Sequence, residues 1–135
     1  MKFSNLIKSL SFATFFLVAT IVKADGVVVL SDNASDYTQT ETGYVLNFKL
    51  EITAVELDQL NADIAMFNEG FGSEVITMTS QLISEGKYAC VYTVDHQNQP
   101  EYVHKMMLSC GFSSIKYKDE TYGLDKIIEI LYAYQ

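Results

Sequence analysis

The chain has 135 residues, one half of them apolar, a formal net charge of −8 and no arginine. That composition supports a packed core and argues against disorder along the whole length. The acidity and the lack of arginine exclude a phosphate-gripping surface, and with it a nucleic-acid partner or attraction to an anionic membrane.

Met1 to Lys8 carries two lysines and no acid, and Leu10 to Ile21 is almost wholly apolar. The segment closes on Val22-Lys23-Ala24, with short residues where a signal peptidase reads. This is the three-part layout of a secretory signal. Its apolar core is about a dozen residues against the roughly 20 a spanning helix needs. Cleavage is expected after Ala24, giving a periplasmic or secreted protein with no membrane span. The cut removes three of the nine lysines and none of the seventeen acids, so the net charge falls to about −11.

Residues 25–43 read as a polar leader, with one short strand at most in Val27-Val28-Val29-Leu30. The domain is expected over 44–135. Tyr44, Leu46, Phe48, Leu50 and Ile52 alternate with Val45, Asn47, Lys49 and Glu51, which predicts a strand buried on one face. Thr53-Ala54-Val55-Glu56 is a capping box. Leu57, Leu60, Ile64 and Phe67 follow at helical spacing up to Gly70 and Gly72, so a helix is expected from Ala54 to about Glu69.

Ser73 to Ile83 and Lys87 to Asp95 read as a hairpin around Ser84-Glu85-Gly86. Asn98 is the expected N-cap of a second helix, with Pro100 in its first turn and Gly111 past its end. A fourth strand follows over Phe112–Lys118, then a turn over Asp119–Gly123. Leu124, Ile127, Ile128 and Leu131 predict a short C-terminal helix, with a fifth strand as the alternative.

Strand, helix, strand, strand, helix, strand is the split βαβ, or ferredoxin-like, order. The expected fold is therefore α+β: a four-stranded antiparallel sheet with two helices on one face, plus the C-terminal helix. The uncovered face would carry Asn47, Lys49, Thr77, Thr79, Val91, Thr93 and Lys116. The order resembles heavy-metal-associated domains and protease propeptides at the level of fold alone, which does not fix function. The former carry a C-x-x-C after their first strand. Here that loop reads Ile52-Thr53-Ala54-Val55-Glu56, so their metal binding does not carry over.

Cys90 lies five residues before the end of its strand, about 17 Å along it. Cys110 lies twelve residues past Asn98, about 18 Å along the returning helix. The two thiols should therefore share one level, and an exported protein meets an oxidising compartment. A disulfide is one reading, worth about 3 kcal/mol by chain entropy. Two reduced core cysteines are the other.

No catalytic or metal-binding constellation stands out. His96 and His104 are eight apart, on a loop and a helix, without the ligand number that zinc needs. Cys110 and His104, six apart on one helix, point to different faces. No dinucleotide or phosphate loop is present, so no cofactor is expected. Of the nine tyrosines, Tyr117, Tyr122, Tyr132 and Tyr134 gather near the C-terminus, a composition enriched at interfaces. Core-edge packing explains them equally. The expected function is an exported, non-catalytic binding module for a protein or small ligand, with a homodimer through the open sheet face as one form. A small exported enzyme or a protease-inhibitor or propeptide-like protein is the alternative.

Overall fold

The computed structural model describes residues 26–135. The export signal expected at residues 1–24 lies outside them. Seven strands run in chain order as β1 (Val27–Leu30), β2 (Tyr37–Gln39), β3 (Tyr44–Glu51), β4 (Ile76–Ser84), β5 (Lys87–Val94), β6 (Ser114–Tyr117) and β7 (Glu120–Gly123). Three helices accompany them: α1 (Ala54–Phe71), α2 (Pro100–Ser109) and α3 (Lys126–Ala133). Among the described residues no helix is long and apolar enough to cross a membrane.

β3 is the spine of the sheet. Its alternation buries Tyr44, Leu46, Phe48 and Leu50, each worth about 1.5–3 kcal/mol on full burial. One side of β3 pairs antiparallel with β5, and β5 with β4. The other side is shared. β1 runs antiparallel to its second half, with Val28 opposite Leu50, and β2 to its first half, with Tyr37 opposite Leu46. β6 then pairs parallel with β1, placing Ile115 beside Val28, and β7 closes the edge. The order is β4-β5-β3-β1-β6-β7, with β2 on β3.

The four-stranded ferredoxin-like sheet with two helices is thus overturned. The sheet is mixed and seven-stranded, with three helices. In the expected order the strand at Phe112–Lys118 would lie against Tyr44–Ile52. Here β1 sits between them. Its inward residues Val28 and Leu30 are buried in the core, so the apolar run Val27–Leu30 is a central strand. β7 forms where a turn was expected. Lys118 and Asp119 both take positive φ, 52° and 65°, which is the geometry of a two-residue hairpin turn.

The helices cover one face. α1 begins on a complete capping box: the Thr53 hydroxyl accepts from the Glu56 N–H, and the Glu56 carboxylate accepts from the Thr53 N–H, both at 3.2 Å. It ends at Gly72, where φ is 87°. α2 is entered from Gln99, which makes no side-chain cap, rather than from Asn98. The Asn98 side-chain Oδ1 instead accepts from the Gln39 side-chain amide at 2.7 Å. α3 is a helix, not a fifth strand, and buries Ile127, Ile130 and Leu131. One hydrophobic cluster joins all three helices to the inner face of the sheet.

Candidate functional site

The other face of the sheet is open. The pairing registers lay its side chains out in rows. One row reads Lys116, Val29, Lys49, Ala89, Gln81 across β6, β1, β3, β5 and β4. The next is Asn47, Val91, Thr79, and a third is Thr38, Val45, Thr93, Thr77. All seven residues assigned to this face from the sequence lie in these rows, and none is buried. Small side chains at Val29, Ala89 and Thr79 leave a trough of about 730 Å³, closed at one end by Ser31 and Asp36.

The trough is lined by one lysine, Lys49, and one acid, Asp36. Lys49 and Lys116 stand two strands apart in one row, separated only by Val29. Lys116 is partly neutralised by Glu51 at 3.7 Å, a half-exposed pair of small energetic weight. Lys49 takes part in no ion pair among the described residues. Hydroxyl, amide and ammonium groups are therefore available to a ligand, but no nucleophile stands beside a base. His96 is packed edge-on to Phe71 and Tyr102, at ring separations of 5.0 and 5.8 Å, and does not line the trough. Among the described residues no group of three or more His, Cys, Asp or Glu side chains is placed to hold a metal ion.

The C-terminal tyrosines do not make one patch. Tyr134 stacks on Tyr37, with centroids 4.9 Å apart and planes 13° apart. Its hydroxyl donates to the Asp32 carbonyl at 2.9 Å and so accepts from Tyr117, also at 2.9 Å. Burial, and then the neighbouring Tyr134, push the Tyr37 hydroxyl well above the usual phenol range. Tyr37 donates to the Ser31 carbonyl. This set fastens the end of α3 to the loop between β1 and β2. Tyr122 lies elsewhere, donating to Glu120 at 2.8 Å beneath the Lys126 ammonium. Tyr132 is half-exposed and donates to Glu101 of α2, a bond that raises its own pKa and lowers that of the carboxylate. The sequence showed the cluster of tyrosines. It did not show Tyr37, which supplies the stacking partner from a hundred residues away.

Cys90 and Cys110 are both buried, and both stand as free thiols. Burial pushes each up to about 11. Neither is therefore a thiolate near neutral pH, and neither is primed for nucleophilic chemistry. Between strand and helix lie Phe48, Tyr92 and Phe112, in edge contacts of 5.5–6.4 Å. Tyr92 is fully buried, and its hydroxyl is left without a hydrogen bond. Its pKa is raised, first by burial and then by the neighbouring Cys110.

Compared with protein-family models, with curated proteins and with solved structures, the chain gives no match.

Proposed function

We propose that the protein is an exported, non-catalytic binding module that holds a partner against the open face of its sheet. The observation that carries this reading is the trough itself, lined by Val29, Asn47, Lys49, Thr79, Gln81 and Val91. A sheet face left uncovered over this area, with a half-exposed Val91 at its centre, suits recognition. Lys49, which makes no ion pair among the described residues, suits an acidic group on the partner, which the remaining surface of a chain carrying seventeen acids would repel. The alternative of a small enzyme or an inhibitor is less well supported, because neither histidine and no convergent set of acids lines the trough.

The test is recovery of a partner from culture medium or envelope extract by immobilised wild type, Val91→Arg, Thr79→Arg and Tyr132→Ala chains. The expected result is a partner retained by wild type and by Tyr132→Ala and lost from both arginine variants. Retention by the arginine variants with loss from Tyr132→Ala would move the surface to the tyrosine end.

A further inference from the structure

β4 is a nine-residue strand at the edge of the sheet, and it carries no charge and no proline. Natural sheets usually guard such an edge with lysine, proline, a short strand or a cover. The opposite edge follows that practice: β7 has four residues and carries Glu120. On β4 the side chains from Thr79 to Ser84 are all exposed, including Leu82 at 62 % and Ile83 at 52 %.

The hydrogen bonds show which backbone groups of β4 face outward. The Asp95 N–H donates to the Val75 carbonyl at 2.8 Å, so the next pair, Ile76 with Val94, is not mutually bonded. The N–H and C=O of Ile76 therefore point away from β5. Both are taken by the side chain of Asn68, whose Oδ1 accepts at 3.0 Å and whose Nδ2 donates at 2.7 Å. Met78, Ser80 and Leu82 have the same parity. Their N–H and C=O groups also point outward, and among the described residues no side chain meets them. Asn68 closes the first rung of the edge and three rungs stay open.

We infer that this edge is an interface between two copies of the chain, joined antiparallel about a two-fold axis at Ser80. The edge is its own complement. Centring on Ser80 pairs Met78 with Leu82 of the second copy, Ser80 with Ser80, and Leu82 with Met78. Each pair exchanges two backbone bonds, so this one register fills every open rung. Centring on Thr79 or Gln81 leaves a rung unpaired or sets it against Asn68. The partner strand also reaches its bulge, between Leu82 and Ser84, at the rung that Asn68 already occupies. On the helix side of the sheet the same register packs each exposed Leu82 against the other copy's Met78. An isologous contact of this kind closes at two copies. In a chain of net charge −8, β4 is a stretch where like charges do not meet. Thr79, Ser80 and Gln81 belong both to this edge and to the trough lining, so the pairing brings the two troughs side by side.

Sedimentation equilibrium of the purified protein over the micromolar range tests this, with Ser80→Pro and Ser80→Lys as variants. The Ser80 N–H faces outward, so proline there spares the β4–β5 ladder. Lysine sets two ammonium groups opposite each other on the axis. Wild type is expected at twice the chain mass, and both variants at the single-chain mass with unchanged melting. Amide exchange supplies a second readout. Met78, Ser80 and Leu82 are expected to be protected in wild type and to lose at least tenfold in protection in Ser80→Lys, while Thr79, bonded to β5, is unchanged. A wild type that stays single overturns the inference. So does a wild-type dimer that Ser80→Lys leaves intact, which would place the contact on another face.

Discussion

Asn68 and Ile76 are bound to each other as if Asn68 were a strand. The amide at the end of α1 accepts from the Ile76 N–H and donates to its C=O, and it also accepts from the Val75 N–H at 3.1 Å. One side chain thus ties the helix terminus to the start of β4 and closes its first outward rung. Asn68→Ala is expected to destabilise by about 1–3 kcal/mol, since both backbone groups of Ile76 lose their partner, while the Val75 N–H keeps the Ser73 carbonyl. Asn68→Asp keeps the acceptor, loses the donor to Ile76, and should fall between the two. Urea denaturation checks both, and equal stability of wild type and alanine variant would remove the role.

Gly43 is fixed by a backbone contact. A Cβ there would lie 1.7 Å from the Val94 carbonyl oxygen, and backbone on both sides leaves no room to yield. Gly43→Ala is expected to separate the start of β3 from the end of β5 and to cost more than about 3 kcal/mol, at the far end of single-substitution effects. A melting temperature within a few degrees of wild type would contradict that packing.

Tyr92→Phe should stabilise the protein. The hydroxyl is buried without a hydrogen bond, and deleting it removes a desolvation penalty of about 1 kcal/mol while the ring contacts with Phe48 and Phe112 remain. For a domain of this size that is a rise of about 3–6 °C in Tm. A clear fall in Tm would mean that the hydroxyl has a partner after all.

The two buried thiols predict the alkaline limb of stability. Unfolded, each ionises near pH 9; folded, near 11. Between those values the folded chain holds more protons than the unfolded one, so stability falls as pH rises through the window and is flat below it. The expected loss is about 2–4 kcal/mol by pH 11 in reducing buffer. The comparison without reductant reads the other option for Cys90 and Cys110, because a disulfide has no proton to lose. A profile that is flat from pH 9 to 11 in reducing buffer would contradict two free, buried thiols.

Where pattern and local chemistry coincide, the sequence was a good guide. Five alternations mark β3, the Thr53–Glu56 pair starts α1, and Ser84-Glu85-Gly86 turns β4 into β5. Six of the seven open-face residues follow from β3 and the hairpin alone and Lys116 from the predicted strand at Phe112–Lys118, so they survive the change of fold. A short strand at Val27–Leu30 was one reading, but its central place was hidden, because four successive apolar residues have no period and its parallel partner β6 lies far along the chain. β7 was hidden by its turn, where Lys118 and Asp119 occupy positions that usually hold asparagine and glycine. Tyr134 shows its real partners, Tyr37 and Asp32, only once β1 and β2 are known to lie beside β3. Asn68 carries no signal at all, since an asparagine two residues before a glycine at a helix end is ordinary.

The row that runs unbroken from Lys116 to Gln81, and the place of Val29 in the trough, require β1 to lie between β3 and β6. Cross-strand nuclear Overhauser contacts in the isotopically labelled protein measure this. Val28 should show backbone contacts to both Leu50 and Ile115, antiparallel in pattern to the first and parallel to the second. Direct backbone contacts between Leu50 and Ile115, with none from Val28 to either, would restore the four-stranded arrangement and undo the account.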